Sequence, residues 1–297
     1  MTAPATTSGD PGDERHRTGA AAGPASRGGR RGRPSRRAAV SALLLRDLTV
    51  LDKSLGEFLH NTVTQPLLLV FVFTWLFPTI GQGIGGTDDA GAARFASLLM
   101  AGLIAQAMAF QGVFRVAVPL ARELDVTGEI EGRVMAPTTV ATMAFQKIVF
   151  GALLALFAAM VVFPVAAFLP ATPVLLSVDW PVLLTLVPLA CVTSAALGLT
   201  IGTLLKPASV PMLAGTLALP LAFGGAIFYT WSSLDPVPWL KYLVLVNPLV
   251  YMSEGMRAAL FVGVDHMPLG AVYGALAVSA VVFTFLGTRG FRRRVVS

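Results

Sequence analysis

The chain has 297 residues, of which 55% are hydrophobic and 13% are charged. A soluble domain usually carries about a quarter charged residues, and the mean hydropathy here is +0.73. This composition excludes a soluble enzyme and predicts an all-α membrane protein. The net charge is +6, and ten of the 22 Lys and Arg residues precede Thr62. Basic residues that flank membrane spans explain this bias better than nucleic-acid binding does.

Residues 1–38 are rich in Gly, Pro, Ser, Thr, Ala and Arg and contain few apolar anchors. This composition predicts a disordered basic tail on the cytoplasmic side. Residues 39–62 differ, because Leu44, Leu48, Leu51 and later apolar residues recur every three or four positions. This spacing predicts an amphipathic helix in the membrane interface. A helix packed on a soluble partner domain is the alternative.

Residues 63–297 are predicted to form a transmembrane domain of six spans, each near the length of about 20 residues that crosses a bilayer. The spans lie at about 63–80, 95–115, 146–169, 181–204, 211–229 and 269–287. With both termini in the cytoplasm, 19 of the 22 Lys and Arg residues lie on the inner side of the cell membrane. This distribution follows the positive-inside rule.

Metal, disulfide and catalytic chemistry are not expected. The single cysteine, Cys191, lies in an apolar run, and His16, His60 and His266 lie in separate segments. No set of ligands with zinc spacing is present. A membrane-embedded enzyme should show a His, Asp or Cys constellation near one interface, and none is visible in the sequence.

Residues 240–262 are apolar but contain several charged residues. A seventh span here would place the arginine-rich C-terminus outside, so we expect a re-entrant or interfacial helix on the outer face. Pro248 should start this helix. Glu254 and Arg257 are three residues apart and should pair on one face, with Tyr251 nearby. A gate in the outer leaflet and a purely structural ion pair are both consistent with this pattern.

Polar residues inside spans are costly and are therefore candidate sites. Gln106 and Gln111 lie in the second predicted span. The aromatic residues Phe223, Phe228 and Tyr229 lie at the outer end of the fifth. Together they form a candidate substrate path. Bonding between neighbouring helices is the alternative for the glutamines, and a membrane-surface aromatic belt is the alternative for the aromatic residues.

Two motifs carry a resemblance to a known family. The inner loop contains Arg122-Glu123, then Gly128-Glu129-Ile130-Glu131, then Met135-Ala136-Pro137. The second motif contains Asn247-Pro248, then Tyr251, Glu254 and Arg257. Their order and separation resemble the permease subunits of ABC-2-type exporters, over about residues 40–295, and the daunorubicin-resistance branch is the most similar. Asp125-Val126-Thr127 interrupts the first motif, and the basic tail has no counterpart.

The resemblance implies an exporter of an amphipathic drug, lipid or glycan. It implies that the inner loop couples to an ATPase, through the residues Arg122, Glu123, Thr127, Gly128, Glu129, Ile130 and Glu131. It also implies an outer gate at Asn247, Pro248, Tyr251, Glu254 and Arg257. The partners would be two ATPase subunits, which bind ATP and Mg, and a second permease, identical or similar, in a lipid membrane.

The chain itself has no phosphate-binding loop, because none of its four lysines follows a glycine. ATP hydrolysis therefore requires a separate subunit. Two alternatives from other classes remain: a proton-driven multidrug transporter, which usually needs a carboxylate within a span, and a non-transporting membrane scaffold.

Overall fold

A computed structural model describes residues 55–82, 89–125, 140–170, 174, 176–204, 216 and 218–296. Within these residues the chain is helical and contains no β-strand. The helices are α1 (Leu55–Val70), α2 (Phe77–Thr79), α3 (Asp89–Asp125), α4 (Val140–Phe168), α5 (Trp180–Leu204), α6 (Pro238–Leu243), α7 (Pro248–Leu260) and α8 (Leu269–Val296). The predicted tail and most of the predicted interfacial helix lie outside the described residues.

Five stretches of the described residues are long and apolar enough to cross a membrane: Phe58–Thr79, Ala90–Leu124, Ala141–Phe168, Trp180–Leu204 and Leu269–Arg294. They correspond to five of the six predicted spans. The most apolar window of α3 is 78% buried, whereas that of α8 is 17% buried. Helix α3 is therefore central in the bundle and α8 is peripheral.

The first span departs from the prediction. The predicted boundary near Asn61 is not a helix end, because α1 passes through it and continues as a π-helix, Phe71–Leu76, and then as α2. The hydroxyl of Thr74 donates to the carbonyl of Val70 at 2.8 Å within this stretch. Pro66 lies inside α1, which membrane helices tolerate. The end of the predicted interfacial helix is thus part of a membrane span.

The predicted span at 211–229 is not reproduced over its described part. Residues 218–223 are helical, but the helix ends at Phe223. Gly224 and Gly225 follow in a turn, and Ala226 has a positive φ of 53°. A left-handed residue cannot continue a right-handed helix, so Phe228 and Tyr229 lie beyond the helix end. Residues 205–215 and 217 lie outside the described residues.

Helices α3 and α5 pack closely because small residues line their contact. A Cβ atom added to Gly198 of α5 would lie 2.5 Å from the carbonyl oxygen of Val113 of α3. Only glycine allows this approach of the two backbones. At the other end of the bundle, Ser177 and Asp179 donate backbone bonds of 2.8 Å to the carbonyls of Leu260 and Ala259. The α4–α5 connection is thereby attached to the end of α7.

Candidate functional site

A polar cavity of about 510 Å³ lies between α1 and α3. It runs along the side of the bundle where polar residues of both helices face each other. Its lining consists of Asn61, Thr62, Gln65, Pro66, Gln106, Ala107, Phe110, Gln111, Phe114, Arg115, Val118, Pro119 and Arg122. Carboxamides, a hydroxyl, guanidinium groups and aromatic faces are thus combined in one cavity, which we call the groove.

A chain of contacts orders the middle of the groove. Gln111 donates from Nε2 to Thr62 Oγ1 at 2.9 Å, and Arg115 donates from Nε to Gln111 Oε1 at 3.2 Å. The guanidinium carbon of Arg115 lies 5.0 Å from the ring centre of Phe58, in a cation–π arrangement. Gln111 therefore links α1 to α3. This is the bonding between neighbouring helices that the sequence allowed as the alternative to a role in the substrate path.

Gln106 behaves differently. Its side chain is 3% exposed, and neither Oε1 nor Nε2 has a hydrogen-bond partner among the residues that the structure describes. More than nine-tenths of buried polar groups in proteins have a partner, and an unpaired one costs about 1–3 kcal/mol. Gln106 lines the groove, but both of its amide atoms are covered, so a substrate would reach them only after neighbouring side chains move.

The aromatic part of the predicted path lies apart from the groove. The Phe228 ring centre is 5.5 Å from that of Phe223 and 5.3 Å from that of Phe73, in the π-helix. Tyr229 donates from its hydroxyl to the Phe223 carbonyl at 2.6 Å. None of these residues lines the groove. The structure therefore brings Gln106 and Gln111 together but places the three aromatic residues in a separate cluster.

The first two residues of the predicted coupling loop lie in helix α3. Arg122 and Glu123 occupy its last turns, and Arg122 also lines the groove. Glu123 pairs with Lys147 of α4 through Oε1 and Nζ at 2.8 Å. Arg122 and Glu123 were assigned to the inner loop from the sequence, but α3 continues to Asp125 and includes both residues. Thr127, Gly128, Glu129, Ile130 and Glu131 lie outside the described residues.

The outer element forms the short helix α7, which begins at Pro248 as expected. Asn247 caps it, accepting a bond of 3.0 Å from the backbone amide of Leu249. The Asn247 amide also donates to the carbonyl of Leu221 at 2.8 Å. Tyr251 donates from its hydroxyl to the carbonyl of Leu245 at 2.9 Å rather than facing Glu254. Asn247 therefore fixes the start of α7 and also joins it to the segment that contains Leu221.

Glu254 and Arg257 form an ion pair that is fully buried. Arg257 Nη1 donates to Glu254 Oε1 at 2.7 Å, and both side chains are 0% exposed. Glu254 also accepts backbone amide bonds of 2.7 Å from Trp231 and from Met267. Arg257 Nη2 donates to the carbonyl of Ala226. The pair is thus a hub that connects α7 to three other segments.

Burial lowers the pKa of Arg257, and the charge of Glu254 beside it opposes this change. Removing one member of a buried pair leaves an uncompensated charge and typically costs about 3–5 kcal/mol. The hub also depends on the left-handed Ala226, since this turn aims its carbonyl at the guanidinium group. Arg257 Nε alone of these polar atoms has no hydrogen-bond partner among the described residues, so the unit is densely but not completely bonded.

Several residues of these sites were not predicted. Asn61, Thr62 and Gln65 form the α1 side of the groove. Asn61 and Gln65 are four residues apart at the start of an apolar run. This spacing places both side chains on one face of a helix and could have predicted a polar face there. Lys147, as the partner of Glu123, and the backbone amides that bind Glu254 had no comparable signal, since they come from distant parts of the chain.

A family model for the ABC-2 type transporter matches residues 40–261, about three quarters of the chain. The chain belongs to this family. ABC-2 proteins are the permease component of an ABC-type transporter and are not themselves the catalytic ATPase. With its apolar helices, this ABC-2 protein is therefore a multi-pass membrane permease. A search of the curated proteins found no match.

The family match covers the groove, the inner motif and the outer helix α7, and it ends at Phe261. Both motifs that carried the resemblance in the sequence therefore fall within the matched part of this ABC-2 permease. Helix α8, from Leu269 onward, lies beyond the matched residues, so the family model does not describe it.

Proposed function

We propose that this chain is the permease subunit of an exporter that moves an amphipathic substrate outward across the cell membrane. ATP hydrolysis in a separate ATPase subunit would drive the movement, since ABC-2 permeases generally pair with an ATP-binding subunit. The observation that carries the proposal beyond the family is Gln106. Its buried amide, unpaired among the described residues, lies directly beside a groove of about 510 Å³.

The groove suits a substrate with both polar and apolar parts. The Gln106 amide offers one donor and one acceptor side, and the rings of Phe110 and Phe114 line the same cavity. A drug, a lipid or a glycan could each use these groups. The drug-resistance branch remains a proposal that rests on the two sequence motifs.

The proposed assembly contains two permeases and two ATPase subunits. We propose that the helix that ends at Phe223 belongs to a sixth span and that both termini are cytoplasmic, following the charge distribution. The two permeases are identical or similar chains. The ATPase subunits, which hold ATP and Mg, dock at the inner loop near Glu129 and Glu131. The Glu123–Lys147 pair would transmit movement from that loop to both α3 and α4, since it joins the inner ends of these helices.

We retain the outer gate in the proposal with one refinement. The Glu254–Arg257 hub is bonded to backbone groups near Ala226, Trp231 and Met267. Breaking these buried bonds would be costly. Opening is therefore expected to move α7 and its bonded segments as one rigid unit. The hub would not come apart during each cycle.

A proton-driven transporter is less well supported. Such a carrier needs a carboxylate that can release its proton within the membrane. Within the described residues, Glu254 is the carboxylate furthest from the ends of its helix, and it already accepts three bonds. Both of its oxygens are therefore already occupied within the hub. The geometry therefore favours ATP as the energy source.

Transport in inside-out membrane vesicles tests the proposal. The full chain would be produced with its co-purifying ATPase, and uptake of a fluorescent anthracycline, a fluorescent phospholipid and a labelled lipid-linked glycan would be measured. We expect uptake of at least one probe with ATP, unchanged by a protonophore and absent with a non-hydrolysable ATP analogue. Uptake that a protonophore abolishes while ATP is present would contradict the proposal, as would no uptake of any probe.

A further inference from the structure

Helix α8 carries a basic cluster beside a cavity. Arg292 and Arg293 follow Arg289 by three and four residues, so all three lie on one side of the helix. With Phe285 and Thr288 they line a cavity of about 370 Å³. No carboxylate lines this cavity, and none of the three guanidinium groups has an ion-pair partner within the described residues. The cluster therefore attracts an anion.

The same face of α8 is apolar for several turns before the arginines. Val278 is 63% exposed, Val281 is 70% exposed and Phe285 is 61% exposed. The opposite face is buried against α5, where a Cβ atom on Gly287 would lie 2.9 Å from the side chain of Leu199. An apolar strip followed directly by arginines is thus left uncovered by the part of the chain that the structure describes.

The length of this strip matches one leaflet of a bilayer. Val278 and Arg289 are eleven residues apart, which at 1.5 Å per residue is roughly 16 Å along the helix axis. Half the hydrocarbon core of a bilayer is about 15 Å. When Val278 lies near the midplane, the arginines lie at the level of the lipid headgroups.

We propose that this face of α8 is a binding site for an anionic phospholipid. The phosphate would be held by Arg289, Arg292 and Arg293, because planar guanidinium groups match phosphate oxygens with paired hydrogen bonds. One acyl chain would lie along Val278–Phe285. The site does not depend on the direction of transport or on its energy source, so it can fail or succeed independently of the proposed function.

Native mass spectrometry of the purified full-length chain tests the site. The protein would be titrated with dioleoylphosphatidylglycerol and, separately, with dioleoylphosphatidylcholine. Arg292→Gln should weaken phosphatidylglycerol binding about ten-fold or more, because it removes charge-assisted hydrogen bonds to the phosphate as well as one positive charge. Arg294→Gln is the matched control, because it removes the same charge from the same turn of α8 but from a residue that does not line the cavity. It should weaken binding by no more than about five-fold, which is the effect of one basic residue near an anionic membrane surface.

Four outcomes would overturn the proposal. Equal losses in Arg292→Gln and Arg294→Gln would indicate diffuse charge attraction only. Equal binding of the two lipids would indicate an apolar surface without headgroup recognition. Competition by inorganic phosphate at the concentration of the lipid would indicate a free-phosphate site. Unchanged lipid binding together with loss of the ATPase subunit from Arg292→Gln would assign the cluster to a protein partner. Arg293→Gln repeats the test should Arg292→Gln not give a monodisperse protein.

Discussion

Replacing Gln106 by Leu should stabilise the permease and at the same time reduce transport. The Gln106 amide is buried, and neither of its polar atoms has a hydrogen-bond partner in the described part of the chain. Leu has a similar volume and buries no polar group. An unpaired buried amide lowers the stability of the fold. Such a group is not expected at a purely structural position, but it is expected where the amide binds a substrate.

The expected gain can be estimated from the unpaired groups. Relief of an unsatisfied buried polar group is worth about 1–3 kcal/mol. For a domain of this size such a gain raises the melting temperature by roughly 2–10 °C. The matched control is Gln111→Leu, which removes bonds of 2.9 Å to Thr62 and 3.2 Å to Arg115. It should lower stability by about 2–3 kcal/mol.

Thermal unfolding of both variants in detergent, followed by tryptophan fluorescence, measures these changes, and vesicle uptake measures transport. We expect Gln106→Leu to unfold at a higher temperature than the unsubstituted chain and to transport several-fold less. A lower melting temperature for Gln106→Leu would show that the amide has a structural partner. Unchanged transport in a stabilised variant would remove Gln106 from the substrate path.

Three further predictions concern the hub, the topology and the helix packing. Glu254→Gln should leave Arg257 buried without its counter-charge and lower the stability of the fold by about 3–5 kcal/mol. This loss should appear as the disappearance of the monodisperse peak in size-exclusion chromatography. A stable variant that has lost export would instead favour a gate in which the charge of Glu254 acts directly. In a Cys191→Ser background, a cysteine at Ser233 should react with an impermeant thiol reagent added outside, and a cysteine at Ser297 should not. Labelling at position 297 but not at position 233 would refute the cytoplasmic location of the termini. Gly198→Ala should reduce thermal stability, because the added Cβ atom would lie 2.5 Å from the Val113 carbonyl oxygen. The control Gly274→Ala adds a Cβ atom that meets nothing within 4 Å and should be neutral or slightly stabilising. Equal effects of the two substitutions would contradict the close packing of α3 and α5.

Much of the fold could be predicted because it follows from local sequence. Long apolar runs specify α3, α4, α5 and α8, and the hydrocarbon thickness sets their length. The start of α7 was equally readable, since Asn247 is a preferred capping residue and Pro248 fits a first turn. The Glu254–Arg257 pair was predicted from helical spacing alone, and the structure places these two side chains in contact.

The remaining features depend on contacts that spacing does not reveal. The amphipathic pattern before Asn61 favoured an interfacial helix, yet the helix continues into the membrane and supplies one wall of the groove. Helix termination at Phe223 depends on Ala226 adopting a positive φ, and the Arg257 bond to its carbonyl stabilises that conformation. The partners of Glu254 at Trp231 and Met267 are brought near it only by tertiary packing.

Photo-crosslinking is the most direct test of the central claim that the substrate crosses the membrane along the groove. A photo-reactive phenylalanine analogue would replace Gln65, which is exposed and lines the groove, or Leu184 on α5, which is 67% exposed but lies outside it. In the ATP-free complex, the fluorescent probe transported by the vesicles should crosslink strongly at position 65 and weakly at position 184. Equal labelling at the two positions, or labelling at position 184 alone, would contradict the account.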